Sequence, residues 1–531
     1  MLARCLSASL LGFDAIPVTV EVDLAPGLPG LQLVGLPDAA IQESRERVRA
    51  ALRNSGFRGP LVRVVVNLAP ADLRKEGPCF DLPIALALLV ASGQLDATVL
   101  RGLWRAGELG LDGSIRPCRG ILAIACQAAE QKARGLVVAG EDAAEASLVD
   151  DLTVISANTL HDLVKSLKVS RELGENHPSK ASTLATPSAP PPPPTSSSSP
   201  NCSSPNTPLA HLPGQRVARQ GLALAAAGGH HLLLVGPPGC GKTHLAHQLP
   251  ALLPPLKRQE SLEITRLHSI AGLTRGHGQL IRTRPFRSPH HTTTSAALLG
   301  GGAHPRPGEL SLAHGGVLFL DELTEFPRAL LDQLRQPLEE GAVRLSRARF
   351  KTSFPAAITL VAATNPCACG WHGDREHGCR CTASQRQRYW QRLSGPLLDR
   401  LDLQLRLERR SASAIRSSLS PESTDPSEPW IHPDQIRAAR RQMIQRNPHR
   451  VCNRDLSAND LGRHGQFTAS ALQLWERLVA QRGLSTRRGI RLLRVARTVA
   501  HLNASESVGT NDLAEASGFR CADLLQLENA T

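Results

Sequence analysis

The chain reads as an α/β protein of more than one unit, and three observations predict it. Short apolar strands alternate with helical stretches, a Gly-rich turn follows one such strand, and an acidic pair closes another. In the amino-terminal part, expected as a domain over residues 1–168, strands are predicted at Val18 to Val22 and Leu61 to Val66. Helices are predicted there at Ala39 to Ser55, Leu82 to Ser92, Ile121 to Lys132 and Leu160 to Leu167. Composition then changes over 169–208, where a run of prolines at 190–194 leads into serines, so this stretch is expected to be a flexible, extended linker. Residues 209–407 carry the motifs of a phosphate-binding α/β core. A second loose connection, rich in Ser and Pro, is expected over 408–431. The tail, 432–531, repeats apolar residues at helical spacing in Leu472 to Val479 and Ile490 to Leu502.

The most specific signal is Gly236-Pro237-Pro238-Gly239-Cys240-Gly241-Lys242-Thr243, directly after the apolar strand His231 to Val235. It fits the P-loop pattern at every fixed position. Glycines let backbone N–H groups wrap a phosphate, Lys242 would reach the β- and γ-phosphates, and the Thr243 hydroxyl would hold Mg²⁺. The cofactors expected are therefore ATP and Mg²⁺. A second buried strand, Gly316 to Leu320, ends in Asp321 and Glu322. Asp-Glu after a strand is by itself a common polar turn. Beside a P-loop it reads as a Mg²⁺ carboxylate, Asp321, followed by a group that orients or deprotonates the attacking water, Glu322. The strand Ile358 to Thr364 delivers Asn365, able to hold the same water near the γ-phosphate, although a strand-ending Asn in a turn is the commoner case.

Composition bounds the rest. With 531 residues the chain is too long for one core. Its 61 Lys and Arg against 47 Asp and Glu leave a formal charge of +14, which favours an acidic polymer or anionic surface as partner. The 12 cysteines follow no regular disulfide framework, as expected for a reducing cytoplasm. The amino terminus shows no secretory cleavage pattern, and the longest apolar stretch, Leu82 to Ser92, is too short to span a bilayer, so no membrane segment is expected.

Longer strings sharpen this reading. Pro285-Phe286-Arg287-Ser288-Pro289-His290-His291, the segment Pro307 to His314, and Gly395-Pro396-Leu397-Leu398-Asp399-Arg400 accompany the P-loop. Val66 to Asp72 and Arg74 to Pro78 stand in the first domain. With them the chain resembles the YifB/ComM family, magnesium-chelatase-like AAA+ proteins, over nearly everything outside the linker. That resemblance implies an AAA+ P-loop core with a helical carboxy-terminal lid, preceded by a Lon-protease-like domain. It also implies a homo-oligomeric, hexameric ring with ATP at the subunit boundaries. Arg400 would then be an arginine finger reaching into the neighbouring site, unless it is a helix-end Arg paired with Asp399. Arg487, in Leu484-Ser485-Thr486-Arg487, would be the second sensor of the γ-phosphate.

In relatives of this kind, loops around the acidic strand face a central pore, and here they are basic. Arg284 and Arg287 flank His290 and His291, while Arg344, Arg347, Arg349 and Lys351 recur along a predicted hairpin. These residues suit a DNA backbone, and the same spacing suits an ordinary exposed strand face. Cys367, Cys369, Cys379 and Cys381 could close a tetrahedral Zn²⁺ site, yet Cys-x-Cys is tighter than usual and reduced loop cysteines are the alternative. In the Lon-like domain that the resemblance implies, Cys79 falls where the nucleophile would lie and the segment Ser114 to Arg119 offers Arg rather than Lys near the base's place. Arginine cannot act as a neutral base, so no peptidase activity is expected. The function implied is an ATP-driven ring motor on DNA, a branch-migration helicase supporting recombination of transforming DNA, with recombination or competence proteins as partners. The alternatives are a chelatase ATPase subunit, set apart because such subunits are expected to lack the first domain, and a Lon-like or peptide-binding ATPase.

Overall fold

In the computed structural model the described residues are 2–59, 61–172, 216–274, 278–302, 305–347, 350–374, 376–409 and 432–520. Most of the two stretches expected as connections lies outside them. The helix Leu160–Glu172 runs beyond residue 168, into the first of those stretches.

The amino-terminal unit is built on a seven-stranded mixed sheet. Its order is Gly30–Val34, Arg63–Ala69, Asp14–Ala25, Leu2–Leu11, Leu103–Arg105, Gly135–Ala139, Val154–Ala157. Asp14–Ala25 is antiparallel to both its neighbours and the other pairings are parallel. Helix Asp81–Ala91 is apolar on every side after its first residue, and all of it is buried. Helix Ala39–Asn54 instead buries one stripe, Ile41, Val48, Ala51 and Leu52. Asp38 caps it by accepting the Ile41 N–H at 2.9 Å, and its other oxygen accepts the Gly77 N–H at 3.0 Å.

The second unit has a five-stranded, all-parallel sheet in the order Phe286–Arg287, Val317–Leu320, Thr359–Thr364, Leu232–Val235, Leu403–Arg406. Its three middle strands are buried along their whole length, as near-continuous apolar runs between covered faces must be. The strand that precedes the Gly-rich turn thus pairs on one side with the strand ending at Thr364 and on the other with Leu403–Arg406. The carboxyl ends of the parallel strands bring the motifs to one edge of the sheet.

Helices Pro433–Arg446, Ala469–Gln481, Thr486–Leu502 and Thr510–Gly518 form the carboxy-terminal part. Leu492, Val495, Ala496 and Val499 of the longest one join the core below the P-loop strand. A buried polar set bolts this helix to the sheet: His230 lies 2.8 Å from the Thr498 hydroxyl and 3.4 Å from Asp402, and Asn453 donates to Thr498 at 3.0 Å.

The two α/β units are packed together. Leu267 and Ile270, on helix Arg258–Ala271, and Phe354, on the hairpin Ala342–Arg347 and Phe350–Pro355, share one cluster with Ala8, Ala15, Trp104 and Ile124 of the first unit. Arg258 pairs with Asp150 at 2.6 Å and Arg266 with Asp14 at 3.1 Å. Among the described residues no helix is long and apolar enough to cross a membrane.

Candidate nucleotide-binding site

The turn Gly236 to Gly241 leaves the buried strand and enters helix Lys242–Leu252. Gly239 and Gly241 adopt φ of +74° and +94°, which an L side chain resists, and open space faces both where a Cβ would stand. The helix N-terminus therefore presents its free N–H groups to that space, as anion binding requires. Lys242 curls over the loop: its ammonium donates to the carbonyls of Gly236 at 2.7 Å and Pro237 at 3.1 Å, and to Asn365 Oδ1 at 3.0 Å. Burial lowers its pKa from the ordinary value, against the opposing pull of Cys240, Asp321 and Glu322.

One hydrogen bond joins the two acidic-strand and P-loop motifs, from the Thr243 hydroxyl to Asp321 Oδ2 at 2.9 Å. A divalent ion between these oxygens would have one hydroxyl and one carboxylate as protein ligands, the sparse set that Mg²⁺ with phosphates and waters takes. Glu322 stands beside them at φ +51°, its backbone N–H donating to Asp321 Oδ1 at 2.9 Å. That left-handed turn swings its carboxylate out, leaving the side chain 58% exposed toward the same edge of the sheet. Lys242 thus contacts Asn365 and Thr243 contacts Asp321, with Glu322 adjoining Asp321.

Two features were not legible beforehand. His291 Nδ1 lies 3.5 Å from Glu322 Oε2, and its ring faces His290 at 4.0 Å. The stretch carrying it is remote in sequence, and only the parallel pairing of Phe286–Arg287 with Val317–Leu320 brings it near. Below the motifs, the Tyr389 hydroxyl accepts from Thr324 at 2.7 Å and lies 3.1 Å from the Thr364 hydroxyl.

The arginines divide. Arg284 donates to the carbonyls of Pro254 and Gly315 and lies 3.7 Å from Glu260. Arg287 grips Glu309 with two bonds of 2.6 and 2.7 Å. In the structure both guanidinium groups are engaged by groups of the same chain. Arg344 is different, 69% exposed with a 3.0 Å pair to Glu340, and the register puts it on the same exposed hairpin face as Lys351. Arg347 is described only in its backbone, and Arg349 lies outside the described residues.

Arg400 does not pair with Asp399. It pairs with Glu339 at 2.8 Å and donates to the carbonyls of Arg335 at 3.1 Å and Pro396 at 2.7 Å. Asp399 is taken by Arg488 at 2.6 Å, and Arg487 is exposed on the first turn of its helix. The four sulfurs of Cys367, Cys369, Cys379 and Cys381 lie within 4.8 Å of one another. His377 turns instead onto Trp371, with ring centroids 4.3 Å apart.

A strand, Gly-rich turn and helix, joined to an acidic strand end across an all-parallel sheet of this order, with a helical part behind it, define a P-loop core of the AAA+ kind. Comparison with known proteins narrows the class. Residues 208–415 match the family model described as magnesium chelatase, subunit ChlI, and residues 432–520 match that of its C-terminal region. Residues 20–142 match the model described as subunit ChlI of Mg-chelatase. The chain is 40% identical over 522 residues to the competence protein ComM of Haemophilus influenzae, covering 98% of this chain and 97% of that one. It is 39% identical over 515 residues to the YifB protein of Escherichia coli, covering 97% and 96%, and 41% identical over 522 residues to the Rv2897c protein of Mycobacterium tuberculosis, covering 98% of each. The chain belongs to the YifB/ComM family of magnesium-chelatase-like AAA+ proteins. Because a chelatase-subunit model also matches the first unit, presence of that unit does not separate the chain from chelatase subunits.

Proposed function

We propose that this chain is the subunit of an ATP-hydrolysing ring motor that acts on DNA, a ComM-like branch-migration helicase. The observation that carries the ATPase half is the convergence of Lys242, Thr243, Asp321 and Asn365 at an open, glycine-lined helix N-terminus. In this reading the loop N–H groups and Lys242 hold the phosphates of ATP, and Thr243 and Asp321 hold Mg²⁺. Asn365 positions the attacking water and Glu322 takes its proton, so the protein's contribution is placement and charge stabilisation. Arg487, exposed on its helix turn, closes on the γ-phosphate. Arg400 serves a neighbouring subunit only after leaving Glu339, so ring assembly has to break that pair.

The DNA half is supported by the resemblance to a competence protein over the full length, by the charge of +14 and by the exposed hairpin face of Arg344 and Lys351. A phosphate backbone is the polyanion such a face would track. Cys79 supports no peptidase role: burial pushes its thiol up to about 12, and a protonated thiol is a poor nucleophile. A chelatase-type remodelling ATPase is the second reading, favoured by the descriptions of the matching family models.

ATP turnover measured with and without branched DNA separates the two. Stimulation, with affinity falling as salt rises, supports the motor. Turnover without any DNA binding at low salt leaves the chelatase-type reading in its place.

A further inference from the structure

We propose that Cys367, Cys369, Cys379 and Cys381 bind one Zn²⁺, and that the resulting knuckle braces the ATP site from the side of Asn365. The Sγ separations are 3.3 Å for Cys367 and Cys369, 3.7 Å for Cys367 and Cys379, and 3.6 Å for Cys369 and Cys379. A tetrahedron with Zn–S bonds of about 2.3 Å has sulfurs about 3.8 Å apart. A disulfide needs about 2.05 Å, and a two-iron cluster spreads its thiolates wider than the 4.8 Å that encloses these four. Four sulfurs converging from a loop therefore have the size of a single-ion cage. With Cys367 fully buried and the other three half-buried, the cage is closed to further ligands, as in a structural site.

The place of this cage gives it a task. Cys367 stands two residues beyond Asn365, and Cys381 stands just before Thr382, the N-cap of helix Ala383–Gln391. The ion would tie the exit of the sensor strand to the entry of that helix. Tyr389 on the helix holds the Thr364 and Thr324 hydroxyls, and Trp390 donates to the Pro366 carbonyl at 3.1 Å. The knuckle also abuts the P-loop, since a Cβ on Gly370 would come within 2.9 Å of Pro238 Cδ. Finally, Arg406, at the end of the outer strand, donates to the His372 carbonyl at 3.1 Å. Two strand ends and the phosphate loop thus meet one small cross-linked loop. Among the described residues of that loop few apolar side chains are buried, so the ion would help keep Asn365 in place.

The metal half of the proposal stands by itself, and the bracing half rests on the ATPase reading. Protein purified without a polyhistidine tag or chelator is assayed for metal, then stripped with a thiol-reactive mercurial while released zinc and ATP turnover are followed. About one zinc per chain is expected, with turnover falling on the order of 100-fold on release and returning when Zn²⁺ and thiol are restored. Nucleotide binding should weaken far less than turnover, a split that general unfolding would not produce. Cys379→Ser/Cys381→Ser should lose the ion, and Cys381→His, which keeps four ligands, should retain both ion and turnover. Metal-free parent protein that hydrolyses ATP, or stoichiometric iron in place of zinc, overturns the site. A stripped, folded protein that turns over at the parental rate overturns the brace. A zinc-loaded parent with no turnover supports the metal half and overturns the ATPase reading.

Discussion

Lys242 and the pair Arg284 and Arg287 are cations of the same unit, a few tens of residues apart, yet their surroundings oppose each other. Around Lys242 the loop is glycine, open space faces Gly239 and Gly241, and its polar neighbours are other groups of the same kind of site. Arg284 lies between two carbonyls of separate segments, and Arg287 is clasped by Glu309. Lys242 also donates to protein oxygens, yet it borders an open hollow in which a ligand could replace them, whereas the partners of Arg284 and Arg287 tie separate segments of the fold together. The difference lies in what surrounds the charge, and the spacing of basic residues along the chain does not report it.

Substitutions can break or sharpen that contrast. The largest effect is expected from Glu322→Gln, which should keep ATP binding and lower turnover by about 10²- to 10⁴-fold. Single-turnover hydrolysis beside nucleotide titration checks it, and normal turnover would remove Glu322 from its role. Lys242→Ala comes next, with ATP affinity reduced about 100-fold, roughly 2.7 kcal/mol, and thermal stability nearly unchanged. Arg287→Ala should do the reverse. Losing two charge-assisted bonds to Glu309 costs on the order of 1.5 to 3 kcal/mol of stability, read from urea midpoints, while the salt dependence of DNA binding stays as it was.

Acid should act on the buried His501, among other groups. Burial, with Arg497 nearby, holds His501 down to about 3, below its ordinary value of about 6.5, so folding favours the neutral ring. Its contribution is complete above about pH 6.5 and is lost as pH falls from there toward 3, at about 1.4 kcal/mol per pH unit. In His501→Gln the unfolding free energy should lose one proton's slope in that window. The smallest stability change, within about 0.5 kcal/mol, is expected for Arg344→Ala and Lys351→Ala. Each should still lower the salt slope of DNA binding by about 1.

Much of the core was readable because its signals are contiguous. The strand, the turn and helix Lys242–Leu252 follow one another in sequence, and the acidic pair ends its own strand, so local pattern was enough to anticipate their kind. The helix Asp81–Ala91, apolar after its first residue, was equally plain as a helix, expected over Leu82 to Ser92. Contacts made across the fold were not. Glu309 is separated from Arg287 by a helix and a short hairpin, and no local pattern links His291 with Glu322 or Tyr389 with Thr364. The four thiols were visible as residues, whereas their convergence into one cluster depends on how the loop returns to the start of the next helix.

The packing of the first unit on helix Arg258–Ala271 and on the hairpin has a consequence for dissection by truncation. Severing the chain between residues 172 and 216 would not leave the second unit with its surface intact. It would strip cover from Leu267, Ile270 and Phe354 and orphan Arg258 and Arg266 from their acidic mates, leaving a tacky scar on the remaining half. Any displacement of the hairpin relative to the amino-terminal unit would have to uncover Phe354 from this shared cluster.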